Sequence, residues 1–180
     1  MTLPTLGTLT SLRATEHPEL LAPPVAEALA AWEHAGRLAV VEIDPELADT
    51  AACSAAYDLP LASGANCVVV MGKRAGEERV AACVVGADTR ADVNNNVKRL
   101  LDVRKASFHA HDRAVDETGM EYGGITPLGL PAGWRLLVDA ACLDIDVAVI
   151  GSGLRRSKLL IPGADLGRLP GAEVVDGLAH

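Results

Sequence analysis

Hydrophobic positions along this chain fall in short bursts whose spacing switches between that of helices and that of strands. Val25, Leu29 and Trp32 recur at helical intervals after Pro23-Pro24, which predicts a helix stopped by Gly36. Arg37 to Ile43 reads as a strand, Asp44-Pro45 as the turn after it, and Asp49-Thr50 as the cap of a short helix running to about Tyr57. Two apolar runs, Cys67 to Met71 and Arg79 to Val85, flank a polar segment containing Gly76 and predict a hairpin. Thr89-Arg90-Ala91-Asp92 has the form of a near capping box, ahead of a helix with Val93, Val97, Leu100 and Leu101 on its inner face. Further on, the pattern predicts a strand over Lys105 to Phe108 and a helix over Ala114 to Thr118, with Asp112 as its cap. Strands follow at Trp134 to Val138, Asp146 to Ile150, Ser157 to Ile161 and Glu173 to Val175, with a short helix between Pro162 and Leu169. Single strands, a hairpin and short helices without a repeated βαβ unit place the chain in the α+β class with a mixed sheet.

Residues 1 to 17 are rich in Thr and Leu without any period and read as a loosely tied arm. The expected organisation is therefore an arm over 1–20 and a single domain over 21–180, which a chain of 180 residues is long enough to fill with a proper core. That core must consist mostly of Val, Leu and Ala, because the chain holds only 2 Trp, 2 Tyr and 1 Phe. No apolar run approaches the roughly 20 residues needed to cross a bilayer, and the start lacks the basic and apolar regions of a signal peptide. A cytoplasmic protein with no membrane partner is expected. Cys53, Cys67, Cys83 and Cys142 are scattered, form no C-x-x-C pair, and read as small buried hydrophobes.

A formal charge of −8 argues against a broad nucleic-acid-binding face and against DNA as a partner. The positive charge gathers at Lys73-Arg74, at Lys98-Arg99 with Arg104-Lys105, and at Arg155-Arg156 with Lys158; the last two groups flank the glycine-rich stretch 118–131, so a local basic rim around a pocket on an acidic body stays open alongside plain solvated ends. His109 and His111 share a face if extended, and Asp112 or Asp116 lies nearby, but no further His or Cys has a sensible spacing, so neither a metal nor a cofactor is expected.

Between Thr118 and Pro131 the pattern breaks down. Four glycines and two prolines fall in one almost uncharged stretch, which forbids a helix interior or central strand and requires a shaped loop. Such a loop can present backbone N–H groups to a ligand at close range. Thr118-Gly119, Gly123-Gly124-Ile125-Thr126-Pro127 and Gly129 resemble the T-G-x-x-x-G-G-[IV]-[ST]-P-x-G loop of the YbaK/prolyl-tRNA synthetase-associated editing domains. Lys105 to Phe108 ahead of it, and Gly151 to Arg156 and Pro170 to Val174 behind it, keep that family's order, so the resemblance runs from about Asp49 to the C-terminus.

The resemblance implies a curved, partly barrel-like mixed β-sheet with surrounding helices, and a free-standing aminoacyl-tRNA deacylase that removes a small, mischarged amino acid. Its partners would be the 3′ acceptor end of tRNA and an aminoacyl-tRNA synthetase; the oligomeric state is not legible. Gly123, Gly124, Ile125, Thr126, Pro127 and Asn66 form the expected catalytic set. Gly151, Ser152, Gly153, Lys98 and Arg155 form the expected substrate-binding set, with Ser152 offering a hydroxyl. A side chain added at Gly124 is expected to intrude where the ester sits. One departure stands out: where the family usually carries a lysine, this chain has Asn66, or Ala65 with a one-residue change of register. An amide brings no charge, and a charge-assisted bond is roughly twice as strong. Two alternatives therefore stay open, a binding module of the same fold that has lost the chemistry, and a hydrolase of another small ester.

Overall fold

The computed structural model describes residues 2–180. In chain order the strands are β1 (Leu12–Arg13), β2 (Ala39–Glu42), β3 (Ala65–Arg74), β4 (Glu77–Gly86), β5 (Ala106–Phe108), β6 (Arg135–Asp139), β7 (Ala148–Gly151), β8 (Ser157–Ile161) and β9 (Ala172–Val175). The helices are α1 (Pro23–Ala31), α2 (Thr50–Ala56), α3 (Lys98–Leu100), α4 (His111–Thr118) and α5 (Gly163–Leu166). The predicted hairpin forms as β3 and β4, antiparallel with Val68 opposite Cys83. Its two-residue turn, Ala75 (φ +51) and Gly76 (φ +85), is left-handed at both positions, as the twist of a tight hairpin demands.

Sheet order explains the apolar pattern. One sheet runs β5-β3-β4-β6-β9, with β4 paired antiparallel to β3 and parallel to β6. β4 therefore lies inside the sheet with both faces covered: Ala82 and Val84 enter the main core, while Ala81, Cys83 and Val85 enter a second core with Val97, Leu101 and Leu178. The other sheet runs β1-β2-β8-β7, antiparallel throughout. Its residues Val40, Ile150, Leu159 and Ile161 meet Val25 and Leu29 of α1 in the main core.

The α+β class with a mixed sheet is as expected, but in place of one curved, partly barrel-like sheet there are two. Among the described residues one parallel backbone bridge joins them, between Gly64, just ahead of β3, and Val149 of β7. Gly64's own N–H and carbonyl are engaged elsewhere, the N–H donating to Leu61 O and the carbonyl accepting from Ala87 N. Other departures have similarly local causes. The N-terminal stretch is tied down: Leu12 pairs with Val40, and Ala14 and Leu20 are buried. Asp92, rather than Thr89, caps the next helix by accepting from Asn95 N, and the first turn is π-helical over Val93–Val97. Thr89 Oγ1 instead donates to Gly86 O at 2.8 Å. α4 starts earlier than expected, with Ala110 at its cap and Asp112 in its first turn. No helix among the described residues is long and apolar enough to cross a membrane.

Candidate functional site

Helix α4 ends where the sequence says it must, at Gly119 with φ +66, and Thr118 Oγ1 accepts from Met120 N to turn the chain into the glycine loop. The buried side chains of Met120 and Leu128 anchor that loop at both ends. Between them the loop lies against the second glycine turn, main chain to main chain. Glu121 N donates to Gly153 O at 2.8 Å, and Gly153 N donates to Gly124 O at 2.8 Å. A Cβ on Gly124 would stand 2.9 Å from Gly153 C, and one on Gly151 would stand 2.4 Å from Gly124 O. The expectation for Gly124 is thereby corrected: its open side faces the Gly153-Leu154 backbone and not a ligand.

A cavity of about 540 Å³ opens at the seam between the two sheets, beside the Gly64–Val149 bridge. One wall comes from the start of α2 (Asp49, Thr50, Cys53) and the start of β3 (Ala65, Asn66, Cys67). The opposite wall comes from Gly123, Ile125, Gly151 and Arg155. Phe108, His111 and Tyr122 also line it; Phe108 and Tyr122 are exposed, and the Tyr122 and His111 rings lie tilted at 5.0 Å. Of the residues expected from sequence, Asn66, Gly123, Ile125, Gly151 and Arg155 are thus brought together around one space.

The others are not. Gly124 and Gly153 hold the two turns against each other, and Thr126 and Pro127 are buried behind the loop, Thr126 Oγ1 without a partner. Ser152 offers no hydroxyl to a ligand, because it is buried and bonded to Ser157 Oγ at 2.8 Å while accepting from Leu154 N. Lys98 sits on α3, whose neighbours Val97 and Leu101 belong to the second core, and it does not reach the cavity. Asp139 serves as a turn residue, accepting from Ala141 N and Ala179 N.

The donors facing the space are mostly neutral. Gly124 N is used on Glu121 O, but among the described residues the amides of Gly123 and Ile125 have no internal acceptor. Thr50 Oγ1 donates to Asn66 Oδ1 at 3.0 Å, which leaves the Asn66 NH2 as a donor. Arg155 is strapped to the cavity edge: its guanidinium donates to Tyr122 O and Pro45 O, and its own amide donates to Glu121 Oε2 at 2.6 Å. No thiol here is an activated nucleophile. Burial pushes Cys53 and Cys67 upward, Cys67 further still through Cys83, and so keeps both protonated.

Two further residues lie outside the expected catalytic and substrate-binding sets. His109 is buried at the cavity, with Nε2 3.2 Å from Glu117 Oε2 and its ring tilted against Trp134, and so belongs to a hydrogen-bonded pair. No group of three or more His, Cys, Asp or Glu side chains among the described residues is placed to hold a metal. Lys158, on β8, also reaches the cavity, buried at 8 % exposure with Nζ donating to Ala48 O at 2.9 Å. Burial lowers its pKa; Cys53 and Asp49 oppose that shift and Arg155 adds to it. The signal for it in the sequence is slight, a lysine directly ahead of the apolar run Leu159 to Ile161 in a predicted strand.

The sequence profile described as "Aminoacyl-tRNA editing domain" matches residues 44–169. Among solved structures, this chain is similar to a candidate trans-editing enzyme for prolyl tRNA synthetase at 22% identity and TM-score 0.73, over 86% of this chain and 94% of that one. It is similar to a hypothetical protein at 23% identity and TM-score 0.75, over 87% and 99%. A candidate signal transduction protein from Marinobacter aquaeolei VT8 matches over 87% of this chain but 30% of its own, at 15% identity and TM-score 0.57.

Proposed function

Because the chain belongs to the aminoacyl-tRNA editing domain family, we propose that it is a free-standing deacylase that hydrolyses the ester of a mischarged tRNA. The observation that carries this reading is the pair of unused amides, Gly123 and Ile125, in the wall of an open cavity. Hydrolysis adds the oxygen of water to the ester carbonyl carbon, breaks the bond from that carbon to the ribose oxygen, and returns a proton to the ribose hydroxyl. An aminoacyl ester is already activated, so the protein's task is to orient it and to stabilise the oxyanion that develops. Rigid main-chain donors suit that task, and the protonated thiols leave water as the nucleophile.

A cavity of about 540 Å³ falls within the roughly 300–1,000 Å³ typical of sites for one small molecule, so an acylated adenosine occupies most of it and a small amino acid is favoured. The exposed Phe108 and Tyr122 rings offer stacking faces to unpaired terminal bases. The prolyl tRNA synthetase named for one structural neighbour supports action alongside a synthetase. The test is a panel of mischarged tRNAs incubated with purified protein. Release of one small amino acid from its tRNA is expected. Tight tRNA binding with no release from any member would instead favour a binding module.

A further inference from the structure

Lys158 poses a problem that the fold does not answer. Its ammonium is taken out of water at 8 % exposure, yet among the described residues it forms no salt bridge, and its one hydrogen bond goes to a neutral carbonyl, Ala48 O. An ammonium has three N–H donors, so two are left without an acceptor. A tie to one carbonyl needs only a neutral donor, whereas a buried charge is costly unless an opposite charge or further hydrogen bonds compensate it. The groups facing it compensate only in part. Asp49 favours the charged form but makes no salt bridge with it and has Oδ1 engaged by Ala51 N and Ala52 N, Cys53 is held as the thiol, and Arg155 repels it. Lys158 lines the cavity, which is where a further acceptor can reach it.

Resting on the deacylase reading, we propose that Lys158 is the anion-receiving group of the cavity, completed when the ligand brings a negatively charged oxygen to its free N–H donors. The register supports this placement: Lys158 lies opposite Gly151 on β7 and Val41 on β2, so β8 delivers it into the wall that also carries Gly151 and Arg155. Asn66, on the facing wall, has only a neutral amide to offer. Two parts of an acylated tRNA end carry such an oxygen, the phosphate of the terminal nucleotide and the carboxylate of an acidic amino-acid side chain. The shared chemistry is an anionic oxygen bound by a desolvated point charge.

Calorimetric titrations of the intact protein separate these sources, using AMP against adenosine, and the aspartyl against the asparaginyl amide of 3′-amino-3′-deoxyadenosine. Wild type is expected to prefer the anionic member of one pair by about tenfold or more, Lys158→Arg to keep that preference, and Lys158→Met to bring it near one. The pair that responds identifies the source. No preference in either pair, or an equal preference in Lys158→Met, overturns the proposal. Should Lys158→Met fail to melt cooperatively, acetylation of wild type by sulfosuccinimidyl acetate decides the matter by mass spectrometry. Lys158 must then be protected by the anionic ligand and not by its neutral counterpart, and equal protection overturns the proposal. Because none of these probes is hydrolysed, the result is independent of the tRNA panel. A protein that deacylates nothing but shows Lys158-dependent anion preference removes the deacylase reading alone, and active enzyme without that preference removes this one alone.

Discussion

Gly124→Ala tests whether the glycine loop is a packing device or a substrate contact. The added Cβ would lie 2.9 Å from Gly153 C and 3.0 Å from both Leu154 N and Leu154 C, and these are backbone atoms that cannot swing aside. The two turns must separate, which endangers the bonds Gly153 N to Gly124 O and Glu121 N to Gly153 O, both 2.8 Å. Two hydrogen bonds at a net value of about 0.5–1.5 kcal/mol each, with overpacking of about 1–3 kcal/mol, give a loss of roughly 2–6 kcal/mol. For a chain of this length that corresponds to a fall in Tm of roughly 4–24 °C. Circular dichroism melts, alongside deacylation measured well below the lowered Tm, provide the assay. Gly36→Ala serves as the control, since nothing lies within 4 Å of its added Cβ and its φ is not left-handed; it should be neutral or stabilising by up to about 1 kcal/mol. A Gly124→Ala protein with unchanged Tm and abolished activity would refute the packing argument and restore Gly124 to the face of the substrate.

Three other outcomes follow from single features. Ala75 sits at φ +51 in the exposed hairpin turn, a conformation Asn tolerates better, so Ala75→Asn should raise stability by several tenths to about 1 kcal/mol in a urea titration. Asn66→Lys should increase turnover if charge on that wall limits the reaction, and a decrease in kcat/KM would show that Lys158 and Arg155 already supply what the site tolerates. The Glu78 carboxyl, held by Arg113 and then Lys73, has its pKa lowered from 4.5 to about 2. A depressed carboxylate contributes stability that is full above the unfolded value and is lost as pH falls through the folded one. The Tm advantage of wild type over Glu78→Gln should therefore hold above pH 4.5 and disappear toward pH 2; an advantage that persists at the acid end would contradict the Arg113 pairing.

What was legible in the sequence is what local chemistry decides alone. The β3–β4 hairpin, the Asp49 cap, the Gly119 stop and β8 follow from apolar runs and from residues whose own backbone preferences close an element. The departures arise where a partner outside the element decides. Thr89 and Asp92 both suit a helix cap, and the choice between them depends on Gly86 O being near enough to take the Thr89 hydroxyl. Leu residues without a period predict a loose arm, but a strand of two residues needs no period when β2 offers an edge. Ser152 reads as an exposed hydroxyl in a glycine turn until Ser157, five residues on, is folded against it.

The candidate site shows the same division, with one instructive exception. The glycine loop was recognisable because φ-positive and close-approach positions leave an unmistakable residue signature, and five of the expected residues do face one cavity. Lys158 carries a weaker local signal, a charge between Ser157 and the apolar run Leu159 to Ile161, which fits a basic rim or a solvated strand end as readily. The general lesson is physical: a lysine on a surface rim needs no explanation, whereas a lysine at a buried strand position implies a partner worth its desolvation. Asn66 and Lys158 are then parts of a single electrostatic arrangement. Asn66 brings a neutral amide to the cavity from the start of β3, so positive charge there comes from other elements, and β8 delivers a lysine to the same cavity. Lys158→Met combined with Asn66→Lys should accordingly recover more anion binding than Lys158→Met alone; two losses that simply add would show that the walls act independently.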